Sequence, residues 1–252
     1  MSRVRQRARA RKPVPAPSRA ARARVDGVDG LRGAAIILMF IYHFAFDLRF
    51  YGVTASDFEH DPFWLGFRAV IVSLFMGLVG ISLVLADRAG DPPPHLWKRI
   101  GVIAGCALAA SLGSWLLFPR SFIYFGILHA IAVASVLASP AVRHPRIALA
   151  IGVAMIGAAF LVSHPVFDLR ALSWIGFTTK KPITEDYVPL IPWAGVVFVG
   201  VALGHALARR GFRDVRLFGA LPGLAWLGRH SLVIYMVHQP ILLGILWAAV
   251  GR

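Results

Sequence analysis

An all-α polytopic membrane bundle of about seven transmembrane helices, with its N-terminus in the cytoplasm, is the fold this sequence predicts. Three observations carry it. Of 252 residues 58% are hydrophobic, and mean hydropathy is +0.68, where soluble domains are nearer half apolar. The apolar residues gather in runs of about twenty, enough to cross a hydrocarbon core of about 30 Å. Arginine and lysine crowd into alternate connections, as they do on the cytoplasmic side of membrane proteins. Inside lipid every backbone polar group needs a partner within its own segment, so the runs must be helices. They lack the period-2 alternation of barrel strands.

Residues 1–25 read as a disordered basic cytoplasmic tail. Nine Arg/Lys and no acid fall in the first 24 residues, in an Arg/Ala/Pro composition with nothing to bury and a charge suited to anionic lipid. The tail resembles the n-region of a signal peptide. The apolar segment behind it is long, with no convincing small-residue cleavage site, which predicts a retained anchor.

Residues 26–252 then form one transmembrane domain. The expected spans are about 31–50, 63–86, 98–118, 121–139, 146–163, 189–208 and 229–250. DRAGDPPPH separates the second and third, FPRS turns tightly between the third and fourth, and SPAVRHPR separates the fourth and fifth. The longest connection, about 164–188, is polar and contains FTTKKPITEDY. ARRGFRDVR precedes the last span and suits a short interfacial helix. The inverted-repeat pattern of transporters is absent from the sequence.

With the N-terminus inside, the cytoplasmic connections hold Arg88, Lys98, Arg99, Arg143, Arg146, Arg209, Arg210, Arg213 and Arg216 besides the tail. The outer ones hold most of the acids, among them Asp57, Glu59, Asp61, Asp168, Glu185 and Asp186. The net charge of +15 is thus a property of tail and loops, not a nucleic-acid-binding face. The single cysteine, Cys106, permits no intrachain disulfide. P-loop, dinucleotide, HExxH and G-x-S-x-G motifs are missing. Nine histidines stand without an i,i+3 or i,i+4 pair, so no metal site is expected.

Ionisable groups at membrane depth are costly and mark function. In VDGLRGAAIILMFIYHFAFDLRFYG, Arg32 and His43 share a helix face about 16 Å apart along the axis. Asp47 lies one turn beyond His43, close enough for its carboxylate to fix the imidazole tautomer, the orienter–base arrangement of general-base catalysis. Arg68 lies within the second span and suits either an ion pair or an anionic substrate group. His129, in FGILHAIA, suits a substrate contact or a bond to a neighbouring helix. In LGRHSLVIYMVHQP, Ser231, Tyr235 and His238 form a polar stripe, and Arg229 with His230 stands at the cytoplasmic mouth, where a phosphate can be held. Arg32 and Arg229 equally suit cytoplasmic flanks.

The Arg32–His43 spacing resembles the signature of the membrane acyltransferase-3 family. More of the chain resembles the bacterial relatives of heparan-α-glucosaminide N-acetyltransferase, another branch of the transmembrane acyltransferases. The carrying segments are VDGLRGAAIILMFIYHFAFDLRFYG, LFMGLVGISLVLA, FGILHAIAVAS, DYVPLIPWAG and LGRHSLVIYMVHQP, together spanning about 26–245. The resemblance implies an enzyme of the bacterial cytoplasmic membrane. It would move an acyl group, typically acetyl, from cytoplasmic acyl-CoA to an amino or hydroxyl group of a sugar or glycan at the outer face. Acetyl-CoA or another acyl-CoA is the co-substrate and no metal is implied.

On that reading Arg32, Arg229 and His230 meet the CoA phosphates. Arg68, His129, Tyr235 and His238 hold substrate or the oxyanion. Two histidines compete for the base. His43, with Asp47, matches the acyltransferase-3 pattern. His60 precedes Trp64 and Gly66 as the histidine of the mammalian enzyme precedes its own Trp-x-Gly, with one residue more between. Direct transfer and an acyl-histidine relay are both open, as are the acceptor's identity and a homo-oligomeric state. Membrane lipid is the other expected partner, and nucleic acid is not one. The competing functions are a small-solute or proton-coupled transporter and a structural subunit.

Overall fold

The computed structural model describes residues 19–91 and 93–250, with side chains from Asp26 onward. The expectation for the tail falls on residues 1–25, whose side chains lie outside the described residues. In chain order the α-helices are α1 (Arg19–Phe50), α2 (Pro62–Ala89), α3 (Pro93–Leu117), α4 (Ile127–Ala138) and α5 (Pro145–Leu161). They continue with α6 (Arg170–Ser173), α7 (Leu190–Arg209), α8 (Arg216–Gly219), α9 (Pro222–Arg229) and α10 (Ser231–Val250).

Among the described residues, five segments are long and apolar enough to span a membrane: Asp26–Phe50 of α1, α2, α3, α7 and α10. The remaining two expected spans, 121–139 and 146–163, are shorter apolar helices, α4 with 12 residues and α5 with 17. Twelve residues rise only about 18 Å. The basic stretch before α10 folds into a 3-10 turn, the four-residue α8 and the separate α9. The last span therefore begins at Ser231, two residues later than its sequence pattern.

Local chemistry sets the ends of α2. Pro62 occupies the first turn, where its missing N–H costs nothing, and the Asp61 carboxylate accepts from Phe63 N at 2.8 Å. Gly90 closes the helix at φ 75°, a left-handed conformation that glycine adopts without strain.

The bundle is held by small residues where backbones meet, as expected where lipid supplies no hydrophobic drive between helices. A Cβ at Gly80 of α2 would strike Val197 O of α7, and one at Gly200 would strike Gly77 O. Gly152 of α5 and Gly195 of α7 meet in the same way, and Gly33 of α1 meets Leu224 O of α9. Farther along both helices Gly204 meets Ile81 and Val84, as Gly200 meets Gly77, so α2 runs parallel to α7; Gly152 meets Val199 while Gly195 meets Ile156, so α5 runs antiparallel to it. Further along, His238 touches His43, Gln239 bonds Asp47 and Tyr51 Oη bonds Leu243 O, so α1 and α10 run parallel. Parallel first and last helices require an odd number of passages between the two ends of the bundle.

Contacts between connections sort them by end. Lys181 pairs with Glu59 at 3.4 Å, joining the loop after α1 to the long connection before α7. At the opposite end Arg143 pairs with Asp87 at 2.9 Å, and His205 Nε2 bonds Val142 O at 2.8 Å. This grouping is the one the charge pattern predicts.

Candidate active site

The reason α4 is short is written in the backbone of the six residues before it. Residues 121–126 are not helical, and their polar groups are bonded one by one to neighbours. Ser121 O accepts from Glu185 N at 2.8 Å, Phe122 O from Thr184 Oγ1 at 2.9 Å and Ile123 O from Ser111 Oγ at 2.5 Å. Ile123 N donates to Ser114 Oγ at 2.9 Å, and Phe125 O accepts from Val188 N at 3.4 Å. Non-helical backbone at membrane depth is tolerated only with such bonding inside the protein.

Gly126 then caps α4. Ile127 N donates to Asp186 Oδ2 at 2.8 Å, and a Cβ on Gly126 would occupy the space of that carboxylate. Burial pushes the Asp186 carboxyl above the ordinary range, opposed by the Ile127 N–H, the Arg68 guanidinium and the Tyr235 hydroxyl. Asp186 thus caps α4 and lies within the electrostatic reach of Arg68 on α2 and Tyr235 on α10. Sequence reasoning placed it among outer loop acids, although it lies within the quoted DYVPLIPWAG.

One turn along α10 from Tyr235 lies His238. Its ring centroid is 4.8 Å from that of His43, at an interplanar angle of 61°. Phe40 and Tyr235 flank the same imidazole. His238 Nδ1 lies 2.5 Å from Tyr235 O, while Nε2 is buried without a partner among the described residues.

The expected His43–Asp47 pair does not form. The Asp47 carboxylate is buried and accepts from Gln239 Nε2 at 2.7 Å instead. Helix spacing brought the two residues within reach, but α10 packs against α1 and offers Asp47 the Gln239 amide as its donor. Asp47 Oδ2 and Gln239 Oε1 stay without partners among the described residues. Gln239 was missed by sequence reasoning; its signal was a polar amide directly before Pro240 within an apolar helix.

His60 lies outside this cluster. It is exposed, and its Nδ1 faces Asp57 Oδ2 at 3.0 Å, a partner the sequence reading did not find. The N–H groups of Glu59 and His60, together with the His60 ring, hold the Asp57 carboxyl below its ordinary value. His129 is also removed from His43. Its Nδ1 accepts from Gly126 N at 3.2 Å and Nε2 faces Ser111 Oγ at 3.3 Å, so both ring nitrogens are engaged in closing the α3–α4 corner.

The expected donor-binding residues sit at the far end. Arg32 Nη1 bonds Asp29 Oδ1 at 2.6 Å and Nη2 bonds Ser82 Oγ at 2.8 Å. Arg229 pairs with Asp26 at 3.2 Å, half exposed. His230 is exposed, with Nδ1 2.9 Å from Trp226 O. The polar groups thus form two sets. His43, His238, Asp47, Gln239, Tyr235, Asp186 and Arg68 lie towards the end carrying the 51–61 loop. Arg32, Arg229 and His230 lie towards the opposite end.

The first set combines an unpaired imidazole with hydroxyl and guanidinium groups, the functional types needed to move a proton and steady a developing oxyanion. A family model described as "Heparan-alpha-glucosaminide N-acetyltransferase, catalytic" matches residues 24–240. No curated protein and no solved structure matches the chain.

Proposed function

Because the chain belongs to the heparan-α-glucosaminide N-acetyltransferase catalytic family, we propose that it moves an acetyl group from cytoplasmic acyl-CoA to a sugar or glycan amine or hydroxyl at the outer face. The family match across residues 24–240 is the observation that carries this reading. The two separated polar sets support its vectorial form. CoA phosphates are met at the end with Arg32, Arg229 and His230, and the acceptor arrives at the end with His43. The N-terminus is then cytoplasmic, α4 and α5 complete seven passages, and a bacterial cytoplasmic membrane is the expected setting.

His43 is the base in this mechanism. It is half-buried on α1, and no protein group hydrogen-bonds its ring nitrogens among the described residues. It removes the acceptor proton as the amine or hydroxyl attacks the thioester carbonyl. Arg68, whose charge acts on Asp186, and the Tyr235 hydroxyl offer positive charge and a donor to the oxyanion. The C–S bond then breaks, and the CoA thiolate takes the proton.

The test is incubation of the purified full chain in vesicles with acetyl-labelled CoA and a panel of envelope glycans. Label on a glycan is the expected result. Solute uptake without label transfer would replace the enzyme by a transporter.

A further inference from the structure

The ring beside His43 has a fixed protonation pattern of its own. His238 Nδ1 lies 2.5 Å from Tyr235 O. A carbonyl oxygen only accepts, so Nδ1 carries the proton, and Nε2 of the neutral ring is a bare lone pair. That atom is buried and unpartnered among the described residues, a state that costs the desolvation of an acceptor. The nearest imidazole is His43, at 4.8 Å between centroids with the rings steeply inclined. The other candidate orienter, Asp47, bonds Gln239 through Oδ1 and makes no hydrogen bond to His43.

We propose that His238 is a positioning residue. Its Nε2, unpartnered as the rings stand, takes a hydrogen bond from a ring N–H of His43 once the two rings turn edge to edge; that bond fixes the His43 tautomer and leaves the opposite His43 nitrogen as the lone pair that meets the acceptor. The proposal rests on the acyltransferase reading for its chemistry and not for its geometry. In the transfer step a C–N or C–O bond forms to the acetyl carbon and the C–S bond of the thioester breaks. The acceptor proton passes to the free nitrogen of His43. The imidazolium stays bonded to His238 Nε2 through its other N–H, and then gives its new proton to the CoA thiolate. A neutral orienter suits this site, because a second buried charge beside His43 would add its own desolvation penalty.

The experiment combines nitrogen NMR of the full chain, 15N-labelled at histidine and held in nanodiscs, with turnover of the same samples. His43 is assigned by its loss in His43→Gln. We expect one neutral His43 tautomer in the wild type and in His238→Gln, whose side-chain carbonyl still accepts, and a mixture in His238→Phe. In turnover, His238→Phe falls about a hundredfold in kcat, a loss of the size of a base's contribution. Acceptor KM stays within about twofold, and His238→Gln recovers about tenfold of the loss. A packing role predicts the reverse order, since phenylalanine fills the apolar space that glutamine fills poorly.

A mixed His43 tautomer in the wild type overturns the proposal, even if His238→Phe does not fold. So does an unchanged tautomer or full activity in His238→Phe. A fixed tautomer that is lost in His238→Phe, in a chain that transfers no acetyl label, upholds the pairing and removes the acyltransferase reading.

Discussion

The Asp47 carboxylate on α1 accepts from the Gln239 amide on α10 at 2.7 Å, and Asp47 Oδ2 and Gln239 Oε1 stay buried and unpartnered among the described residues. The contact ties the first and last spans together beside the histidine pair. An asparagine at 47 keeps an acceptor for Gln239 Nε2 and adds a donor that Gln239 Oε1 can take. Asp47→Asn is therefore expected to stay within about 1 kcal/mol of wild type, and Asp47→Leu to lose about 2 kcal/mol or more, since it strands the amide. Equilibrium unfolding in mixed detergent measures both. Equal losses would show that the pair does not couple the helices.

The two histidines that compete for the base separate by turnover. His43 is half-buried among α1 and α10, whereas His60 is exposed beside Asp57. His43→Gln should lower kcat by about two to four orders of magnitude, the usual worth of a positioned base. His60→Ala should act chiefly on acceptor KM. An inactive His60→Ala beside a near-normal His43→Gln would move the chemistry to the outer loop.

Donor binding has a graded expectation. Arg229 pairs with Asp26 at a half-exposed site, where an ion pair contributes little stability. Arg229→Ala should raise KM for acetyl-CoA and leave the melting temperature almost unchanged. Arg32 is bonded to both Asp29 and Ser82, so Arg32→Ala should lower the melting temperature as well. Identical donor KM in both variants and wild type would reduce these arginines to topology markers.

Asp186 makes stability depend on pH in a definite direction. Its folded carboxyl lies above the ordinary carboxylate range, chiefly through burial. The folded state therefore holds the proton more tightly than the unfolded chain. The resulting stabilisation is full below the unfolded value and is lost as pH rises through the folded one. Asp186→Asn retains an acceptor for Ile127 N without the titration. Relative to wild type, the variant should gain melting temperature as pH climbs out of the carboxylate range. A difference constant with pH would contradict this account.

Membrane orientation is tested by single cysteines in a Cys106→Ala background. Lys181→Cys and Glu59→Cys should react from one side and Arg143→Cys from the other, because the first two residues pair while Arg143 pairs with Asp87 at the opposite end. An impermeant reagent applied outside intact cells should reach the first pair. Labelling of Lys181→Cys only from the cytoplasm would invert the topology.

Hydropathy alone located the apolar helices to within a few residues, except at the starts of α1, α3 and α4, because burial in lipid is a property of composition over about twenty residues. Charge asymmetry likewise sorted the connections into the two groups that the Lys181–Glu59 and Arg143–Asp87 pairs join. The same one-dimensional view read 121–139 as one helix. Ser111, Ser114, Thr184 and Asp186 satisfy the backbone of the 121–127 segment in another form, and no local pattern shows side chains that arrive from elsewhere in the chain. The site divides in the same way. Periodicity put His43 and Asp47 on one face, since spacing along a helix is fixed by its geometry. Whether they bond was decided by α10, which runs parallel to α1 and delivers His238 to one residue and Gln239 to the other. A hydrogen-bond partner is chosen by distance in space, and the one that Asp47 found, Gln239, stands nearly two hundred positions away.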